Sequence, residues 1–109
     1  MSISEISVDE LAALLDATPT LRLIDVREVD EYEAGHVAGA QLVALSTVPD
    51  HVDAFRGDGP AYVICKSGGR SMRACEFLSD QGLDVVNIAG GTMGWVTSGR
   101  DVVDGDQPS

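Results

Sequence analysis

Apolar residues recur along this chain at two spacings, one helical and one strand-like. Val8, Leu11, Leu14 and Leu15 mark one face of a helix that opens at Ser7. Glu10, three positions on, completes a capping box with it. Residues 17–20, with Pro19, are the turn out, and residues 21–26 then predict a strand. Residues 28–34 have a short helical pattern stopped by Gly35, and residues 40–45 predict a second strand. Ser46 or Thr47 is placed to cap a short helix through Phe55, with Pro49 in its first turn. Residues 56–60, rich in Gly and Pro, form a loop. Residues 61–64 are a buried strand, residues 72–81 a helix closed by Gly82, and residues 85–88 another buried strand. Gly90 and Gly91 break that strand, and residues 92–97 make a short helix that stops at Gly99. Residues 1–100 read as one domain, and the acidic, apolar-poor residues 101–109 as a frayed tail.

Strands alternating with helices over short loops predict an α/β fold with a mostly parallel sheet. Ligands then bind beyond the carboxyl ends of the strands. The residue at such an end is Cys65, and the segment it opens is Cys65-Lys66-Ser67-Gly68-Gly69-Arg70-Ser71. A cysteine leaving a strand, in a glycine loop, at the start of a helix, is in a setting that lowers a thiol pKa. Helix N-termini present unpaired N–H donors and partial positive charge. A glycine loop lets successive N–H groups converge on one anion. Lys66 and Arg70 add full charge. A free thiol titrates near ~8.5, and the thiolate is the nucleophile. Ser67 and Ser71 are placed either to donate to the thiolate or its ligand, or simply as turn and cap residues.

Charge sharpens this picture. The chain carries 18 acidic and 7 basic side chains, a formal net charge of −11. That repels a phosphate backbone and an anionic membrane surface, so nucleic acid and membrane are not expected partners. Lys66 is the only lysine, and Lys66, Arg70 and Arg73 gather three of the seven basic residues beside Cys65. The pattern suggests a small anionic ligand. Two cysteines, Cys65 and Cys75, are too few for a disulfide framework. Cys75 falls on the apolar side of its helix and reads as core. Neither the cysteines nor His36 and His51 have metal-site spacing, so no metal or other cofactor is expected. No signal peptide and no apolar run approaching ~18 residues is visible, and a reducing cytoplasmic setting fits a free thiol.

The Cys-x-x-Gly-x-Arg-Ser pattern after a strand resembles the active-site loop of the rhodanese-like sulfurtransferases. Three further segments agree in type and order: Leu23-Ile24-Asp25-Val26-Arg27-Glu28, then Tyr32-Glu33-Ala34-Gly35-His36-Val37-Ala38-Gly39-Ala40, and Gly90-Gly91-Thr92-Met93-Gly94-Trp95. The resemblance runs from about Ile6 to about Gly99. It departs at Ala38, where the family usually has proline, in a turn remote from the thiol in sequence. It implies the same α/β architecture, a small mostly parallel sheet flanked by helices on both faces, and a catalytic Cys65 that carries sulfur as a persulfide. Lys66, Ser67, Gly68, Gly69, Arg70 and Ser71 would then surround the substrate. Asp25 and Arg27, closing a strand on the same sheet edge, either position the loop or form a plain structural pair. His36 has a family counterpart, which suggests a structural hydrogen-bonding role, and Trp95 closes the core or borders the pocket mouth.

The function so implied is transfer of sulfane sulfur from thiosulfate or a persulfide donor to a thiophilic acceptor, which could be a protein. A carrier or protein-binding module without its own turnover is the alternative. Phosphatase or arsenate-reductase chemistry is disfavoured, because relatives that do it have five residues between Cys and Arg, and here there are four.

Overall fold

The computed structural model describes residues 3–109. Five parallel strands form one sheet in the order β1-β5-β4-β2-β3. They are β1 (Ser4–Ile6), β2 (Leu23–Asp25), β3 (Gln41–Leu42), β4 (Ala61–Ile64) and β5 (Val85–Ile88). Three α-helices lie between strands, α1 (Val8–Ala17), α2 (Val29–Ala34) and α3 (Gly69–Asp80), and α4 (Gly91–Thr97) follows β5. The α/β class and the parallel sheet agree with the sequence pattern. Among the described residues, no helix is long and apolar enough to cross a membrane.

Two apolar clusters lie on opposite faces of the sheet. One packs Ala74, Cys75 and Leu78 of α3, with Val48 and Phe55, onto Ile24, Val63 and Val85. The other packs Leu11 of α1, Tyr32 of α2 and Trp95 of α4 onto Leu23, Ile64 and Ile88. The central strands β2, β4 and β5 are therefore apolar on both sides, as a parallel sheet covered by helices requires. Cys75 is fully buried in the α3 cluster, and burial pushes its thiol up to about 12. It is core, as its place on the helix suggests.

Ser7 and Glu10 close the expected capping box at α1. Elsewhere the boundaries move for physical reasons. β1 is absent from the sequence reading because Ser4-Glu5-Ile6 has one apolar residue and no period. β2 is shorter than residues 21–26, although the ladder continues at its ends, where Tyr62 N–H donates to Arg22 O and Val26 N–H to Ile64 O. The helix expected to end at Phe55 is instead two 3₁₀ segments, Leu45–Asp50 and Val52–Phe55. Pro49 lies late in the first of these and lacks the N–H that an α-helical bond needs. Thr47 does not cap the segment; its hydroxyl donates to Ala44 O at 2.8 Å.

The tail also departs from expectation. Residues 101–109 are docked rather than frayed. His36 and Val103 exchange both backbone hydrogen bonds at 2.8 Å, Gly105 N–H donates to Glu33 O at 2.9 Å, and Gly39 N–H to Pro108 O at 2.8 Å. The buried His36 ring stacks on Tyr32 with centroids 3.6 Å apart. Its Nδ1 pairs with Tyr32 O and its Nε2 with Gln107 O, each at 2.8 Å. Backbone pairing of this kind is not encoded in apolar content, which is why composition misjudges the segment.

Candidate active site

Cys65 is the first residue past β4, at the carboxyl end of the central strand. The chain turns back through Lys66 and Ser67 to Gly68, which precedes α3 with φ 110°, a left-handed conformation suited to glycine. The turn points two donors at the sulfur. Gly68 N–H lies 3.1 Å from Cys65 Sγ, and Ser71 Oγ, in the first turn of α3, lies 3.3 Å from it. Cys65 is 1% exposed. That burial alone raises the thiol pKa. Hydrogen bonds from the Ser71 hydroxyl and from the backbone N–H groups of Ser71, Gly68 and Ser67 outweigh it, leaving the thiol below its ordinary value. The lowering is thus chiefly the work of neutral donors converging on the sulfur.

The loop is held from behind by α4. Thr92 N–H donates to Cys65 O at 2.8 Å, and Met93 N–H to Lys66 O at 2.9 Å. This needs close approach at Gly91, whose φ is 59°; a Cβ there would stand 2.6 Å from both Cys65 O and Lys66 O. We expect Gly91→Ala to cost about 2–4 kcal/mol, from the left-handed backbone and the overlap together. It should also raise the pH midpoint of Cys65 alkylation, because the displaced backbone carries Cys65. Chemical denaturation and an iodoacetamide pH profile check both parts.

The cations have different surroundings. Lys66 is exposed and forms no ion pair among the described residues. Arg70 instead turns to α2 and grips Glu31 with two parallel bonds, Nη1 to Oε1 at 2.7 Å and Nη2 to Oε2 at 2.8 Å. The Arg70 bonds, with a backbone bond in the Glu28 turn, bring the Glu31 carboxyl from 4.5 to about 2. A depressed carboxyl stabilises the fold above about 4.5, and that contribution is lost as pH falls toward about 2.

Asp25 and Arg27 form a buried pair at the end of β2, adjoining the Cys65 strand. Arg27 Nε and Nη2 bond the Asp25 carboxylate at 2.8–3.1 Å, Arg27 N–H adds a bond at 3.0 Å, and Nη2 also donates to Gly35 O at 2.8 Å. Arg27, Glu31 and Lys66, with Met93, Val96 and Val102, line an open hollow of about 460 Å³.

This chain of features, a parallel sheet with a hydrogen-bonded cysteine in a strand-to-helix glycine loop, has close counterparts. A family model described as the rhodanese-like domain matches residues 7–98. The chain belongs to the rhodanese-like family. It is 38% identical over 95 residues to YtwF of Bacillus subtilis (strain 168), provisionally named a sulfurtransferase, covering 87% of this chain and 92% of that one. It is 34% identical over 95 residues to YrkF of the same organism, provisionally named a sulfur carrier protein, covering 86% of this chain and 51% of that one. A crystal structure of a rhodanese-related protein from Thermoplasma volcanium superposes with a TM-score of 0.83 at 31% identity, covering 92% of this chain and 97% of that one.

Within the rhodanese-like loop, then, the structure brings Cys65, Gly68 and Ser71 together and keeps Ser67, an exposed residue, as a backbone donor. Gly69 opens α3. Trp95 belongs to the core, with its Nε1–H donating to Asp101 O at 2.8 Å. Sequence reasoning missed Glu31 and Asn87. Asn87 is 1% exposed on β5, and its Oδ1 accepts from the Ser71 hydroxyl. A polar residue inside the run Val85-Val86-Asn87-Ile88 was the available signal; nothing local marks Glu31 as the partner of Arg70.

Proposed function

We propose that this rhodanese-like protein is a sulfurtransferase in which Cys65 takes sulfane sulfur from thiosulfate or a persulfide donor and passes it to a thiophilic acceptor. The observation that carries this reading is the thiolate cradle, with Gly68 N–H and Ser71 Oγ both aimed at Cys65 Sγ. In the first half-reaction Sγ attacks the outer sulfur of thiosulfate. The new S–S bond forms as the old one breaks, and its electron pair leaves on sulfite. In the second, the acceptor attacks the outer sulfur of the Cys65 persulfide and Cys65 departs as thiolate. Electrons balance without a redox partner, so no cofactor is required. Lys66, without an ion-pair partner among the described residues and beside the hollow, draws the anionic donor in.

Two substrates using one covalent intermediate give ping-pong kinetics. Initial rates with thiosulfate varied at several cyanide concentrations should give parallel double-reciprocal lines. Intersecting lines would mean that sulfur passes directly between bound substrates. The carrier reading has one observation in its favour, the name borne by YrkF. In that case, sulfur loaded on Cys65 would leave for a protein thiol but not for cyanide. A phosphoryl reading stays disfavoured by the four residues between Cys65 and Arg70.

The pairing with Glu31 sharpens a prediction for Arg70. A bidentate bond to Glu31 uses one N–H from each terminal nitrogen and leaves the other donors for an oxyanion. Arg70→Ala should lower kcat/KM for thiosulfate by about 10- to 100-fold, the worth of a charge-assisted hydrogen bond. The loss should be smaller for a neutral organic polysulfide. An equal loss on both donors would assign Arg70 to bracing α3 against α2 instead.

A further inference from the structure

Ser71 has one hydroxyl proton and three acceptors around it. Gly68 O lies 3.2 Å away and Cys65 Sγ 3.3 Å, while Asn87 Oδ1 is the closest. A serine hydroxyl donates one hydrogen bond. Whatever Asn87 receives, Cys65 loses.

Asn87 is not free to turn. Its Nδ2 donates to Glu5 Oε2 at 2.8 Å and reaches Gly68 O at 3.3 Å. Glu5 and Asn87 are direct partners in the β1–β5 register, so their side chains leave the same face of the sheet. With Nδ2 held by a carboxylate, Oδ1 has to face Ser71. A reversed amide would set its oxygen against Glu5 and offer Ser71 an N–H instead.

We propose that Asn87, oriented by Glu5, is a positioning residue that competes with Cys65 for the Ser71 proton and so keeps the thiolate from being over-stabilised. A thiolate more strongly hydrogen-bonded is more acidic but less nucleophilic, since nucleophilicity falls with thiol pKa. Resting on the sulfurtransferase reading, a second consequence follows for the loaded protein. In the persulfide the negative charge moves to the outer sulfur and Sγ becomes a neutral acceptor. Ser71 then returns to Asn87 at little cost, which favours loading.

The other charged and titratable groups around the thiol are known. Lys66 follows it in the loop, Arg70 and Cys75 on α3 each interact with its charge, and the Asp25–Arg27 pair stands at the end of β2. None of these bonds to Ser71 or Asn87, so the relay can be separated from them by mutation.

The test is the pH profile of iodoacetamide alkylation of Cys65. Asn87→Val fills a buried strand position without offering an acceptor. It should lower the midpoint by about half a unit to one unit, the worth of one neutral hydrogen bond, and should also lower the rate at the alkaline plateau. In a Ser71→Ala background the same substitution should leave the midpoint where Ser71→Ala alone puts it. Glu5→Ala, at an exposed edge position and safe for folding if Asn87→Val is not, should lower the midpoint in the same direction. That effect should vanish with Ser71→Ala, whereas a through-space effect of the Glu5 charge would persist. An unchanged or raised midpoint, or a shift that survives Ser71→Ala, overturns the proposal. In thiosulfate–sulfite mixtures Asn87→Val should also shift loading about five-fold toward free thiolate. If no wild-type persulfide forms, the sulfurtransferase reading fails while the alkylation profile still decides the relay.

Discussion

Cys65→Ser will lower sulfur transfer from thiosulfate to cyanide by at least about 10³-fold, the scale seen when a covalent nucleophile is removed. The cradle explains the size. Its hydrogen bonds come from neutral groups and bring down a thiol that when free titrates near ~8.5. They are far too weak to ionise a serine hydroxyl. The fold should survive, because a serine oxygen can accept from Gly68 N–H in place of sulfur. Thiocyanate release and thermal melting, measured together, check both halves. Retention of more than about a tenth of the activity would move the chemistry off Cys65. The other thiol, Cys75, is then the residue to examine, although burial holds it up to about 12.

The largest effect on stability is expected at Asp25. Asp25 is fully buried and Arg27 is 6% exposed. Asp25→Ala leaves the Arg27 guanidinium buried with Gly35 O as its remaining partner. Removing one member of such a pair costs about 3–5 kcal/mol, because the other stays desolvated and uncompensated. For a domain of this size that is a fall of about 15 °C or more in Tm. A joint replacement, Asp25→Leu with Arg27→Met, should be much less harmful, since neither charge remains. Calorimetry of the single and double variants checks the pair directly. A single variant that melts within a few degrees of wild type would show that water reaches Arg27.

The two sites differ in how far the sequence reveals them. The Cys65 loop is local: strand end, glycine turn and first helical turn fall within seven consecutive residues. Asp25 and Arg27 are likewise two positions apart, and their pairing is nearly dictated by that spacing. Glu31 and Arg70 are 39 positions apart, and Glu5 and Asn87 are 82 apart. Those contacts exist only because β1 pairs with β5 and α2 lies near the start of α3. They become visible once the strand order is known. The role given to charge also changed. Sequence proximity suggests that Lys66 and Arg70 acidify the thiol, whereas in the fold Arg70 is engaged by Glu31 and the loop donors do most of the work. The docked tail follows the same logic, because Glu33, His36 and Gly39 pair with it through backbone atoms that no side-chain pattern displays, and the His36 ring reaches Gln107 across 71 positions.

In the proposed cycle Cys65 carries the sulfur. Intact-protein mass spectrometry after thiosulfate treatment, with peptide mapping and a parallel sample exposed to cyanide, tests it most directly. The expected result is one added sulfur atom per chain, located on Cys65, and its loss to cyanide with release of an equal amount of thiocyanate. No added sulfur from thiosulfate or from an organic persulfide, or sulfur found on Cys75 instead, would contradict it.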